Sequence, residues 1–298
     1  MSILNKKTIH ANLIKKHEAI FQCPVCSRDM HIQELRSMVC TQNHFFDLAK
    51  QGYLNLITHS LKTKYDKHLF ESRKRIADSG FFDPLTSELS EMLNGHFNSN
   101  PDEIKMLDAG SGEGSHLSSI QKKLFDKTGK NLVGIGADIA KEGVYIAARE
   151  YSGLIWCVAD LANSPFKNHA FNCILSILSP SNYAEFDRLL SDGGLLVKVI
   201  PESGYLKELR EIFYGQTDKE DYSNHTTIER FQENFKLAES KRITYQVKLA
   251  EGLLEHIINM TPLSWGSSPE QLKKAVESDI STLTVDLTIL AGKRSKSN

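Results

Sequence analysis

Two groups of residues in this 298-residue chain have the types and spacing to do chemistry. The first is Asp108-Ala109-Gly110-Ser111-Gly112-Glu113-Gly114, which follows the apolar Met106-Leu107 and precedes a helical segment from His116 to Lys127. Glycines at alternate positions let a backbone approach a ligand closely and take dihedrals that a side chain forbids. A dinucleotide site would want its third glycine one residue later, where Ser115 stands, and a phosphate-cradling loop would need a following Gly-Lys-Ser/Thr. Neither phosphate reading survives. The second group is Cys23, Cys26, Cys40 and His44, with two, thirteen and three residues between successive members. Three thiolates and one imidazole on two short knuckles suit tetrahedral zinc in a closed, structural site. A redox Cys-x-x-Cys would instead open a helix in a βαβ unit, whereas this one sits in a polar segment with further ligands downstream. Cys157 and Cys173 lie inside apolar runs and read as small core residues.

The elements that must position the glycine loop follow from periodicity. Apolar runs Leu132–Ala137, Leu154–Ala159, Phe171–Leu178 and Gly194–Ile200 follow the first strand, with helical segments between several of them. Near-continuous apolar strands alternating with helices require a parallel sheet covered on both faces. The second and third strands end in Asp138 and Asp160, and the first runs into the loop. Open α/β sheets bind ligands at such strand ends, where Asp138 is placed to take both hydroxyls of a ribose. One terminal Asp alone is more readily a cap or turn residue, but three at successive strand ends point to a ligand. Lys241–Leu249 and Ser281–Leu290 alternate polar with apolar residues and read as an antiparallel edge pair. The expected fold is α/β, a Rossmann-like mixed seven-stranded sheet with a small N-terminal zinc module.

Composition bounds the rest. At 40% hydrophobic residues the chain can bury a full α/β core and carry an accessory module. Five cysteines, three of them in the zinc pattern, leave no disulfide framework, which suits a reducing compartment. No apolar run reaches membrane-spanning length, and Ser2–Lys16 lacks the hydrophobic core of a signal peptide, so a cytoplasmic protein is expected. The net charge of −1 conceals a division: residues 1–80 carry 13 Lys and Arg against 7 Asp and Glu, and the remainder 23 against 30. Lys62, Lys64, Lys67, Arg73, Lys74 and Arg75 are the densest part. A polyanionic partner and a merely solvated helix face account for this equally well.

The glycine loop resembles the Asp-x-Gly-x-Gly-x-Gly signature of class I methyltransferases, whose ligand, S-adenosylmethionine, has no phosphate. Taken with Cys23-Pro-x-Cys26, Cys40-x-x-x-His44-x-Phe46-Asp47-x-Ala49-Lys50-x-Gly52-Tyr53, Arg73-x-x-x-x-x-Ser79-Gly80-x-Phe82-x-Pro84-Leu85 and Met260-Thr261-Pro262-x-x-Trp265, it resembles the RlmA family of 23S ribosomal RNA guanine-N1 methyltransferases. The resemblance runs from about Cys23 to the last strand. It implies an enzyme using S-adenosylmethionine and a structural Zn²⁺, acting on N1 of a guanine in a 23S ribosomal RNA hairpin, and working as a homodimer. It implies zinc ligands at Cys23, Cys26, Cys40 and His44, and cofactor contacts at Gly112, Glu113, Phe82 and Tyr205, the last two replacing the family's Tyr and His. The wider class I pattern adds Asp108, Gly110, Gly114, Asp138 and Asp160.

The expected organisation is residues 1–22 as a flexible extension, 23–60 as a zinc-binding RNA-recognition module, 61–100 as a basic linker with helices, and 101–298 as the catalytic domain. The tail Lys293-Arg294-Ser295-Lys296 reads as a second flexible arm. Pro180 and Tyr183, after the fourth strand, and Trp265 are candidates for the substrate wall, with core packing as the competing reading of both aromatics. N1 of guanine carries a proton and lies on the pairing edge, so the reaction needs an unpaired or flipped base and a proton acceptor. No residue in the sequence identifies that acceptor. A methyltransferase for another RNA or a small molecule would share the cofactor half, and a non-catalytic ribosome-binding protein would keep the zinc module.

Overall fold

The computed structural model describes residues 6–59, 65–97, 103–215 and 223–294. The chain opens with α1 (Lys6–Lys16) and a three-stranded antiparallel sheet of β1 (Met30–Gln33), β2 (Ser37–Cys40) and β3 (Phe45–Asp47). A two-residue strand, β4 (Leu54–Asn55), then leads to α2 (Lys67–Asp78) and α3 (Asp83–Phe97). The alternating part follows: β5 (Glu103–Ala109), α4 (Ser115–Thr128), β6 (Asn131–Asp138), α5 (Lys141–Glu150), β7 (Ile155–Val158), β8 (Phe171–Ile177), α6 (Tyr183–Leu189) and β9 (Leu190–Pro201). The chain ends with α7 (Lys207–Tyr214), α8 (His225–Asn234), β10 (Phe235–Lys248), α9 (Leu253–Met260), α10 (Pro269–Val276) and β11 (Thr282–Arg294).

The large sheet runs β10-β11-β9-β8-β5-β6-β7-β4. Strands β4 to β9 pair in parallel, and β11 lies antiparallel to both its neighbours. This is the expected Rossmann-like mixed sheet, with its strand order reversing beside β5, where such sheets bind ligands. Successive residues of the central strands enter opposite cores: Met106 and Cys173 join the cluster under α3 and α4, while Leu107 and Ile174 join the one shared with α6.

Three details depart from expectation. The sheet has eight strands, because β4 pairs with β7 through Leu54 and Asn55. A two-residue strand carries no periodicity and exists only through its partner. Residues 6–16, expected within a flexible extension, form a helix that buries His10, Ala11 and Ile14. His10 fills the space over Gly52, where a Cβ would come within 2.7 Å of its ring. In the tail, Lys293 and Arg294 belong to β11, and Arg294 Nε reaches Asp187 at 2.8 Å. Ser295 and Lys296 lie outside the described residues.

The zinc-pattern segment is part of the same packing. Phe21 bridges Phe166 in the loop before β8, their rings 5.5 Å apart, and Phe21, Met30 and Met38 share a core with Ile135 and Phe186. Among the described residues no helix is long and apolar enough to cross a membrane.

Candidate functional site

Two tight turns bring the metal-type ligands together. Ser27 N–H donates to the Cys23 carbonyl at 2.8 Å and Asn43 N–H to the Cys40 carbonyl at 2.9 Å. Ser27 and Asn43 take φ of +56° and +60°, the left-handed values such turns need. The ligand atoms of Cys23, Cys26, Cys40 and His44 lie within 4.8 Å of one another. His44 Nδ1 is 3.5 Å from the sulfurs of Cys23 and Cys40, and the Cys26 and Cys40 sulfurs are 3.7 Å apart. A tetrahedral ion with bonds of ~2.3 Å to sulfur needs sulfur–sulfur edges of about 3.8 Å, so the four groups fit Zn²⁺ and fill its coordination shell. All four expected ligands converge here. The exposed faces of the knuckles carry Val25 and Phe45, 54% and 68% accessible.

The second site is a cavity of about 840 Å³ at the carboxyl ends of the parallel strands. One wall is the glycine loop. Gly110 and Ser111 N–H donate to the Ala137 carbonyl, and Gly112 N–H donates to Asp138 Oδ2 at 2.8 Å. The other Asp138 oxygen accepts from Ala140 N–H, also at 2.8 Å. Gly110, at φ +86°, must be glycine, because a Cβ would lie 2.7 Å from that of Ser179. Glu113, accepting from the Ser115 hydroxyl, Asp138 and Asp160 place three carboxylates on the lining. Phe82 and Tyr205 line it as well.

Another wall is the turn after β8, started by Leu178 at a strained φ of +50°. It contributes Pro180 and Tyr183, and Ser179 Oγ donates to the Ala109 carbonyl at 2.8 Å, fastening the two walls together. Tyr183 also contacts the rings of Phe186, Phe231 and Phe235 at 6.0–6.3 Å, so its packing role and its place on the wall coexist. Trp265 is 44% accessible with Tyr65 at 5.8 Å, which sets it at the rim rather than in the core.

Two expected cofactor residues do not face the cavity. Asp108 is 2% accessible behind the loop, and burial, with Asp138 and Glu113 nearby, pushes its carboxyl up to about 8. The neutral, protonated form is therefore favoured at neutral pH. Gly114, at φ +84°, lies where a Cβ would meet Trp156 at 2.4 Å, so that position serves packing.

The structure also brings to the cavity residues to which the sequence assigned no place in the site. Arg73 projects from α2, which starts where Asp66 accepts from Leu69 N–H at 2.9 Å, and reaches the lining over the Phe70 ring. The basic connector is thus partly consumed: Lys67 pairs with Glu71 at 3.3 Å and Lys74 with Asp78, while Lys62 and Lys64 lie outside the described residues. Ser111 Oγ and His116 Nε2 are buried, line the cavity and have no hydrogen-bond partner among the described residues. Burial, aided by Arg73 and opposed by Glu113, holds the His116 imidazole below its usual range. Lys198, on β9, is 5% accessible and also lines the cavity. Its signal was a lysine inside an otherwise apolar strand.

The donor set can be tested against S-adenosylmethionine. Two orphaned polar atoms, carboxylates able to accept from ribose hydroxyls and amino groups, and an arginine able to pair with a carboxylate all face one volume. The residues fit that ligand, with space left for a planar base.

Comparison with known proteins gives independent findings. The family model described as RlmA, N-terminal, a zinc ribbon, matches residues 21–63. The chain is 40% identical over 276 residues to the "Putative 23S rRNA (guanine-N(1)-)-methyltransferase YxjB" of Bacillus subtilis (strain 168), covering 92% of this chain and 97% of that protein. It is 28% identical to the "23S rRNA (guanine(748)-N(1))-methyltransferase" of Streptomyces fradiae, covering 86% and 89% respectively.

Proposed function

The chain belongs to the 23S ribosomal RNA (guanine-N1)-methyltransferase family, and from that premise we propose that it methylates N1 of a guanine in a hairpin of 23S ribosomal RNA. The observation that carries this reading is one cavity lined both by the glycine loop and by the Ser179–Tyr183 turn, in a molecule whose zinc ribbon shares its core. Cofactor and base can then occupy one volume, where the reaction needs in-line alignment at close range and an acceptor for the N1 proton.

S-adenosylmethionine, when bound, supplies an electrophilic sulfonium methyl. Asp138 is oriented by Gly112 and Ala140 N–H to accept from the ribose hydroxyls, Asp160 is available to the adenine amino group, and Phe82 and Tyr205 give flat contacts. Glu113 suits the ammonium and Arg73 the carboxylate of the methionine tail. Pro180, Tyr183 and Trp265 form the wall against which the unpaired guanine stacks. The zinc ions of such closed sites do no chemistry, and Cys23, Cys26, Cys40 and His44 hold the ribbon's shape for RNA docking.

On this reading residues 23–60 recognise RNA, 61–100 connect and lend Arg73 and Phe82 to the cofactor, and 101–298 catalyse. Cytoplasmic work, expected from the cysteine usage, and homodimer assembly, which rests on the family resemblance, belong to the same proposal; light scattering tests the dimer. The reaction is tested by transfer of labelled methyl to 23S ribosomal RNA from a strain lacking the enzyme, followed by primer extension. A new stop at one hairpin guanine is expected, because N1 methylation blocks pairing. Cofactor binding with no label on RNA would redirect the reading to another acceptor.

A further inference from the structure

Guanine N1 must lose its proton as it takes the methyl group, and the carboxylates of the cavity are committed elsewhere. Asp138 accepts two backbone N–H groups, Asp160 accepts from Ala162 N–H at 2.8 Å, and Glu113 accepts from Ser115. All three belong to the strand ends and glycine loop assigned to the cofactor. The turn assigned to the guanine holds a different ionisable group.

Lys198 Nζ donates to Ser181 Oγ at 2.6 Å, to the Ser179 carbonyl at 3.1 Å and, more weakly, to Ser176 Oγ at 3.4 Å. Every partner is neutral, and among the described residues no carboxylate lies within ion-pair distance of it. Its register neighbours, Ser176 on β8 and Leu290 on β11, carry no charge. Besides the three carboxylates and Lys198 itself, the titratable groups on the cavity are Arg73 from α2, His116 from α4, Arg230 from α8, and the phenols of Tyr65, Tyr183 and Tyr205. A cation buried without a counter-ion is costly, and a structural lysine would normally be paired or would extend its amine to water. Here the amine is buried at the cavity wall, donates to the Ser179 carbonyl, and so is tied to the residue whose hydroxyl holds the glycine loop at Ala109.

We propose, resting on the guanine-N1 reading above, that Lys198 in its neutral form is the general base that takes the N1 proton. The N–H electron pair of N1 becomes the nucleophile and forms the N–CH₃ bond. The methyl–sulfur bond breaks with its pair going to sulfur, which becomes a neutral thioether. The proton goes to the Lys198 amine, so the single positive charge moves from sulfonium to ammonium and the total is unchanged. Burial lowers the amine to about 8, so a useful neutral fraction exists near physiological pH. The long Ser176 contact is the one most readily exchanged for the substrate.

The test is single-turnover methyl transfer by the full chain to 23S ribosomal RNA as a function of pH, with S-adenosylmethionine affinity measured alongside. For the wild type the rate should rise about tenfold per pH unit and flatten near 8. Lys198→Met should bind the cofactor within about twofold, transfer methyl ~10²–10⁴-fold more slowly, and lose that pH break. Lys198→Arg keeps charge and donors but cannot release a proton at these pH values, so it should stay as slow. Its retained cofactor binding and melting temperature would exclude misfolding. Recovery of rate by Lys198→Arg, or an unchanged pH profile in Lys198→Met, would overturn the base and leave a positioning role for the Ser179–Ser181 turn. No transfer to RNA by the wild type would overturn the ribosomal RNA reading itself, and the base assignment with it.

Discussion

At the scale of single residues, the glycine loop combines ligand geometry with packing constraints that a motif does not separate. Gly110 and Gly112 meet the cavity, whereas Gly114 makes room for Trp156. Gly114→Ala adds overpacking to a left-handed backbone and should cost about 2–4 kcal/mol in urea denaturation. Gly129→Ala has the backbone penalty alone, since nothing lies within 4 Å of its Cβ position, and should cost about 1 kcal/mol. Equal losses would remove the packing explanation. Asp108 gives a pH signature. Its folded carboxyl, at about 8, binds a proton more tightly than the unfolded one, so its contribution is full below about pH 4 and is lost as pH rises through 8. Asp108→Asn should therefore gain on the wild type by a few kcal/mol between pH 5 and 9. A stability difference independent of pH would contradict this.

At the scale of elements, what the sequence made legible follows from how each element is stabilised. Five of the six parallel strands are readable because both faces are buried, so every position in Met106–Ala109 or Ile155–Val158 is apolar or small but for the buried Asp108. β4 is not, because Leu54 and Asn55 form a strand only through β7. α1 was missed because its burial rests on His10, Ala11 and Ile14 within a lysine-rich segment. The ligand spacing identified one site and the strand-end acids another, but Arg73, legible only as a motif and basic-cluster residue, His116, and Lys198, legible only as a lysine in an apolar run, take their place at the cavity from where their elements aim them. The ribbon's attachment through β4 and Phe21 sets a prediction. Removal of zinc by a chelator, or Cys23→Ser, should raise amide hydrogen exchange in residues 23–55 and in β7, and weaken RNA binding at least tenfold. S-adenosylmethionine affinity should change less than about threefold, since no ribbon residue lines the cavity. Loss of both affinities together would mean that the ribbon is required for the whole core.

At the scale of the molecule, the question is how a chain with net charge −1 engages a polyanion. The excess of cations lies in residues 1–80, but the ribbon itself is balanced in number: Arg28, Arg36 and Lys50 are exposed, and so are Asp29, Glu34 and Asp47. Much of the excess is on α1, where Lys15 and Lys16 are exposed, and on α2, where Arg75 is exposed and two lysines are internally paired. A few dispersed cations imply a modest count of phosphate contacts, with the exposed Phe45 and Val25 adding stacking and apolar contact with unpaired bases. With roughly three phosphates neutralised, affinity for the RNA hairpin should fall about 20-fold between 50 and 200 mM salt, while affinity for S-adenosylmethionine moves less than about twofold. Phe45→Ala should lower RNA affinity by about 1–3 kcal/mol at every salt concentration without altering the slope, because a stacking contact releases no counterions. A flat salt response, with Phe45→Ala silent, would point to an acceptor too small to reach beyond the cavity.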